Sequence, residues 1–138
     1  MKKIFLLAAI LICSTGQLLG QNAPYKVVFD ITTGDTATHS RVIRWLNSIS
    51  TTHPDAKLEV VFYGKALPMV ETNLSTVAGE VKKLATGKNV VFAVCEQAMK
   101  AHQVDKSMLL PGVQTVHDAI YELISKQSEG YGYIKVTN

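Results

Sequence analysis

The sequence predicts one α/β domain built on a largely parallel sheet. Three observations carry that prediction. Segments of strand character alternate with segments of helical period along 138 residues, a length that suits a single domain. The first and third strands are nearly continuous apolar runs, as expected where helices cover both faces of a sheet. The composition is that of a packed protein, 47% hydrophobic and 18% charged.

The first residues stand apart from that domain. Met1-Lys2-Lys3 is a short basic start, and Ile4 to Ile12 is an apolar run too short to span a bilayer. Small residues at Ser14 and Gly16, or at Gly20, mark two cleavage points. The expectation is a signal peptide over residues 1–20, a domain over 21–138, and export to the periplasm. Cys13 leaves with the leader. It lacks the small preceding residues of a lipidation site, since Leu11 and Ile12 stand there. Removing Lys2 and Lys3 from the 14 Lys and Arg leaves 12, against 11 Asp and Glu. A nearly neutral domain offers no basic patch to nucleic acid.

Each element has its own signal. Tyr25–Thr32 reads as the first strand, and Thr33-Gly34-Asp35 as the turn after it. Val42, Trp45, Leu46 and Ile49 form one apolar face of a helix over about Ala37–Thr51. His53-Pro54 ends it, because proline disfavours helical geometry in the residue before it. Leu58–Tyr63 is the second strand. A second helix spans about Ser75–Ala85, weakened by Gly79 and stopped near Gly87. Val90–Val94 is the third strand, followed by a short helix over about Gln97–His102. Asp105–Leu109 suggests a further helical turn, and Gln114–Val116 a very short fourth strand. Thr115 and Asp118 have capping-box spacing for a last helix over about His117–Gln127. That helix is expected to bury Val116, Ile120, Leu123 and Ile124. Tyr131–Val136 is the last strand.

In a parallel sheet the strand C-termini share one edge, and ligands bind there. The residues leaving the strands at that edge are Thr33-Gly34-Asp35, Gly64-Lys65 and Cys95-Glu96. Cys95 is then the single thiol of the mature chain, at a strand end and a helix start. Backbone N–H groups favour a thiolate there by only about 0.3–1 kcal/mol, and Glu96 opposes it. Activation needs a cation, for which Lys65 is the candidate. His102 lies seven residues on, about 10.5 Å along a helix, beyond hydrogen-bond reach. His39 approaches Cys95 only if the first and third strands are neighbours. Otherwise it is a solvated first-turn histidine. The alternative for Cys95 itself is a small buried hydrophobe. No histidine pair has metal-ligand spacing, so no metal is expected.

Phe92–Lys100, Leu109–Val113, Glu122-Leu123 and Gln127–Lys135, in that order and spacing, resemble the DsrE/DsrF-like sulfur-relay family. His39–Ile49 and Glu59–Gly64 are similar to its first helix and second strand. The resemblance runs from about Lys26 to Val136. It implies a three-layer α/β/α domain with a mainly parallel five-stranded sheet, and homo- or hetero-oligomers, often trimers or hexamers. It also implies a cysteine after the third strand, matched by Cys95, that accepts sulfane sulfur as a persulfide and hands it on. Two features depart from that pattern: the leader, and His117-Asp118 where the family is expected to carry Pro followed by Ser or Ala.

The function that follows is a sulfur carrier or sulfurtransferase. Cys95 would be the nucleophile, with Lys65 and His39 as its candidate helpers, and Gly34 and Gly64 would leave room for a donor. The partners would be a sulfur donor or acceptor protein or a small thiol. No cofactor is required, since a thiolate attacks sulfane sulfur directly. The rival is a non-enzymatic envelope module that binds a small molecule or assembles, with Cys95 as packing. A reversible thiol redox sensor is the third reading.

Overall fold

The computed structural model describes residues 24–138. The expected leader, residues 1–20, lies outside the described residues. Five strands form one sheet: β1 (Lys26–Ile31), β2 (Lys57–Phe62), β3 (Val90–Cys95), β4 (Gln114–Val116) and β5 (Gly132–Val136). The α-helices are α1 (Thr36–Thr52), α2 (Ala78–Ala85), α3 (Glu96–His102) and α4 (Ala119–Ser128). Short 3-10 turns cover Gly64–Val70, which contains Pro68, and Lys106–Met108. The strand order is β4-β3-β2-β1-β5, and every pairing is parallel.

That order decides which helix lies where. From β1 to β4 the chain steps across the sheet in one direction. Right-handed crossovers therefore stack α1, α2 and α3 on one face, and the return from β4 to β5 lays α4 on the other. The first face carries the larger core, in which Phe29, Ile31, Phe62 and Phe92 of the strands meet Val42 and Leu46 of α1, Val81 of α2 and Met99 of α3. The second face has a small cluster of Val28, Val61, Ala93, Cys95, Ala119 and Leu123.

Local chemistry fixes the helix starts. Asp35 accepts from the Thr38 amide at 2.8 Å and its hydroxyl at 2.6 Å, so α1 opens on a side-chain cap. Asp118 accepts from the Tyr121 amide at 3.0 Å and opens α4. Thr115 is not part of that cap. Its hydroxyl donates to Glu96 instead, at 2.9 Å.

Two burial expectations fail. Ile120 and Ile124 are 54% and 58% exposed. Only Ala119 and Leu123 of α4 are buried, because a single helix on a sheet face buries a narrow stripe. Trp45 is 37% exposed and lines the rim of a cleft of about 210 Å³ with Phe29, Ser48, Ile49 and Ile134. The Arg41 guanidinium lies 5.4 Å from the Trp45 ring centre.

The second end of α4 is held by charge. Lys126 lies 3.5 Å from Glu59 of β2, 3.6 Å from Glu122 and 3.5 Å from Glu129. Burial works against the Lys126 ammonium, but the three carboxylates outweigh it and raise its pKa. Glu59 is buried, and its Oε1 has no hydrogen-bond partner. Burial first, then the neighbouring Glu122, pushes the Glu59 carboxyl up to about 7. A carboxyl raised on folding stabilises the fold below its unfolded pKa of about 4.5, and that contribution is lost as pH rises through about 7. Glu59→Gln removes this dependence. Its stability relative to the wild type, from denaturant melts, should rise by roughly 2 kcal/mol between pH 5 and pH 8.

Candidate functional site

Because all five strands are parallel, the C-terminal ends of β1, β2 and β3 open on one edge. Cys95 is the last residue of β3 and the cap residue of α3. It is the only cysteine among the described residues. Its side chain turns to the α4 face and packs with Ala93, Ala119 and Leu123, so the residue is only 6% exposed.

The neighbour of Cys95 is a tyrosine. In the β2–β3 register Phe62 pairs with Val94, so the next position sets Tyr63 beside Cys95. Tyr63 packs against the cluster that contains Cys95. Its hydroxyl donates to Asp30 Oδ2 at 3.3 Å, and the Tyr133 hydroxyl donates to the same oxygen at 2.5 Å. Lys135 donates to Asp30 Oδ1 at 2.9 Å and to Thr32 Oγ1 at 3.3 Å. The Lys135 ammonium stands 5.4 Å from the Tyr63 ring centre. Asp30 pairs across the sheet with Lys135, and Val28 with Tyr133. The buried carboxylate thus gathers Tyr133 and Lys135 from β5 and Tyr63 from just beyond the end of β2.

Electrostatics keeps both tyrosines as donors. Burial, then the Asp30 charge and hydrogen bond, and last the nearby Cys95, push Tyr63 up to about 12. The hydrogen bond to Asp30 and burial push Tyr133 up to about 12. On the other side of Cys95, Glu96 is engaged by Lys106 at 3.0 Å and by Thr115 at 2.9 Å. Those contacts hold its carboxyl below the usual glutamate value. Its charge is thereby compensated beside the sulfur.

The residues named from the sequence fall in different places. His39 is buried beneath the opposite face, where its Nε2 donates to the Thr33 carbonyl at 2.8 Å. Strand β2 lies between β1 and β3, so the condition for His39 to approach Cys95 is not met. Neither is His39 a solvated histidine; it closes the turn before α1. Lys65 is exposed and lines a cleft of about 340 Å³ with Glu71, Leu74 and His102. The structure does not gather it with the Cys95 cluster. Gly34 and Gly64 let two loops touch rather than leave space: a Cβ on Gly34 would lie 2.9 Å from the Lys65 carbonyl, and Gly64 has φ +59. His102 is exposed at the end of α3, away from the sulfur.

The sequence reasoning missed Asp30, Tyr63, Tyr133 and Lys135. One signal was present: Asp30 interrupts an otherwise apolar buried strand, and a buried carboxylate requires partners. Among the described residues no group of three or more His, Cys, Asp or Glu is placed to hold a metal ion. No described helix is long and apolar enough to cross a membrane.

A sequence model of the DsrE/DsrF-like family matches residues 26–136, nearly the whole described chain. The chain belongs to the DsrE/DsrF-like family. Solved structures agree with that assignment. The protein of unknown function MTH1491 from Methanobacterium thermoautotrophicum is 28% identical, with TM-score 0.75 over 80% of this chain and 98% of its own. The ychN protein from E. coli superposes with TM-score 0.68 at 11% identity, covering 82% of this chain and 99% of its own. BT1422 from Bacteroides thetaiotaomicron, of unknown function, gives TM-score 0.65 at 14% identity over 80% and 94%. The last two likenesses are of fold alone. No curated protein matches the chain significantly. The DsrE/DsrF-like sheet of this chain is all-parallel, firmer than the mainly parallel sheet expected from the sequence.

The Asp30 cluster can be weighed by mutation. Asp30→Ala leaves two hydroxyls and an ammonium without their shared acceptor. Partly exposed Tyr133 and Lys135 regain water, so the loss should be about 2–3 kcal/mol rather than the larger cost of a wholly buried pair. Tyr63→Phe removes one hydrogen bond and should cost about 1 kcal/mol. Chemical denaturation of both variants checks the order.

Proposed function

We propose that the protein is an exported persulfide carrier that holds sulfane sulfur on Cys95 and passes it to a partner. One observation carries the reading: in a DsrE/DsrF-like domain, Cys95 ends β3 at the edge where all strand C-termini open. A thiolate there attacks the outer sulfur of a donor, forms a new S–S bond, and releases the donor's leaving group with the old bonding pair. A thiol or thiolate partner reverses the step. No cofactor takes part, and the partner is a donor or acceptor protein or a small thiol.

Incubating the mature protein with thiosulfate or polysulfide should add one sulfur atom to the intact mass. Cys95→Ser should abolish the gain, and an acceptor thiol should reverse it. A wild-type protein that gains no sulfur from any donor refutes the carrier.

The burial of Cys95, at 6% exposure, favours a second reading in which it is packing and the domain serves assembly. Both readings place self-association on α4, where Ile120, Tyr121 and Ile124 are 54%, 72% and 58% exposed. A turn of helix with three large exposed apolar side chains is the mark of an interface. A charge at each isoleucine should disrupt it. The Ile120→Glu/Ile124→Glu pair should elute as a monomer in size-exclusion chromatography with light scattering, where the wild type forms a trimer or hexamer.

A further inference from the structure

The cleft that holds Lys65 plays no part in the carrier reading. It opens beyond the C-terminal end of β2, on the edge where open α/β sheets take their ligands. Its volume of about 340 Å³ is within the range of small-molecule sites. Leu67, Leu74 and Val104 give it an apolar lining, and Lys65, Glu71 and His102 are its polar groups.

Two observations separate it from a chance depression. First, its walls are fixed. The Lys65 amide donates to the Thr32 carbonyl at 3.0 Å, and Gly34 lies against the Lys65 carbonyl. Leu67 and Val70, on either side of Pro68, are buried. At Glu71 the chain bridges to Leu109, and the Thr72 amide donates to the Met108 carbonyl at 2.8 Å. The Val104 amide donates to the Met99 carbonyl at 2.9 Å, which closes α3 through a left-handed Gln103. Second, its charges are unpaired. Among the described residues ion pairs engage Lys106, His117, Lys126 and Lys135, and none includes Lys65, Glu71 or His102. A cation and a carboxylate thus line one cleft more than 4.0 Å apart.

We propose that this cleft binds a small zwitterion, an apolar α-amino acid, with its carboxylate on Lys65 and its ammonium on Glu71. The apolar side chain lies on Leu67, Leu74 and Val104, and the His102 imidazole adds a hydrogen bond at the rim. A sphere of the cleft's volume is about 9 Å across. Two charge-assisted hydrogen bonds of about 2.8 Å each, added to the short separation of an α-ammonium from its carboxylate, bridge a gap of that size. A simple carboxylic acid leaves Glu71 unmatched, and a simple amine leaves Lys65 unmatched. The zwitterion is the charge pattern that satisfies both. The site makes no use of Cys95, so it holds whether or not the carrier reading does.

The test titrates isotope-labelled protein with L-leucine, L-methionine and L-phenylalanine and follows the backbone amides by NMR. At least one should bind and move the amides of Lys65, Glu71 and Val104. Lys65→Met and Glu71→Gln should each weaken that binding about tenfold, the scale of one charge-assisted hydrogen bond. Lys65→Arg, which keeps the charge, should retain it. Neither side chain is in the core, so the melting temperatures of the variants should match wild type. Two trimmed forms of leucine separate the contacts. Isocaproate lacks the ammonium and should lose affinity on Lys65→Met but not on Glu71→Gln. Isoamylamine lacks the carboxylate and should show the reverse.

No shift with any of the three amino acids at about 10 mM overturns the proposal. Shifts confined to residues outside the cleft overturn it as well. Binding that neither Lys65→Met nor Glu71→Gln weakens shows that the two charges hold nothing. If each variant loses both trimmed probes equally, the residues shape the cleft without touching the ligand, and the zwitterion assignment falls.

Discussion

Everything on the face that holds Cys95 follows from one constraint, the handedness of the crossovers in an all-parallel sheet. Four strands laid down in one direction commit α1, α2 and α3 to a single face. The one return connection leaves α4 to cover the other alone. A helix with its side chains is about 10–12 Å wide. Five strands at about 4.8 Å spacing are about 19 Å across before their side chains are counted. One helix cannot cover that width. The second face is therefore a small apolar cluster bordered by polar groups, and the corner formed by Tyr133 and Lys135 stays open.

Two acidic residues lie on that partly covered face, and their surroundings give them different work. Asp30 receives three donors, Tyr63 just after β2 and Tyr133 and Lys135 of β5, and the pKa of both tyrosines is raised. It acts as a fixed point that orients its donors. Glu59 lies beneath α4 and shares a single lysine with Glu122 and Glu129. One cation for three carboxylates is too few, so burial and repulsion drive Glu59 toward the protonated form. The same residue class thus organises a site at one end of the face and tethers a helix at the other.

Much of the fold was legible because its signals are local. Apolar runs marked β1 and β3, the Val42–Leu46 stripe marked α1, and the strand–cysteine–helix passage placed Cys95 at the ligand edge. The surroundings of Cys95 were not legible, for a physical reason. Asp30 meets Tyr133 and Lys135 over separations of 103 and 105 residues. Those contacts exist only because β5 inserts beside β1, and a strand order leaves no trace in a 3.6- or 2-residue period. His39 failed as a partner on the same ground, since β2 separates its strand from β3. Ile120 and Ile124 misled in another way. Their spacing truly reports a helix, but a period says which residues share a face and not whether a second layer covers them.

The anchoring of α4 also bears on how the sulfur is reached. Ala119 and Leu123, in the first half of the helix, pack against Cys95. Lys126, in the second half, is bound to Glu59 and its neighbours. The covering end is held by two small apolar contacts and the Asp118 cap, while the far end is held by charge in a buried setting. A displacement that uncovers Cys95 costs least at the first turn, where the one charged contact is that of Glu122 with Lys126 within the helix, at 3.6 Å. Ile120 and Tyr121 lie on that same half and Ile124 just beyond it, with large apolar surfaces turned outward. Whatever binds those side chains bears on the end of the helix that covers the thiol. With the assembly proposed above, contact through α4 and access to Cys95 would be physically coupled rather than separate properties of the domain.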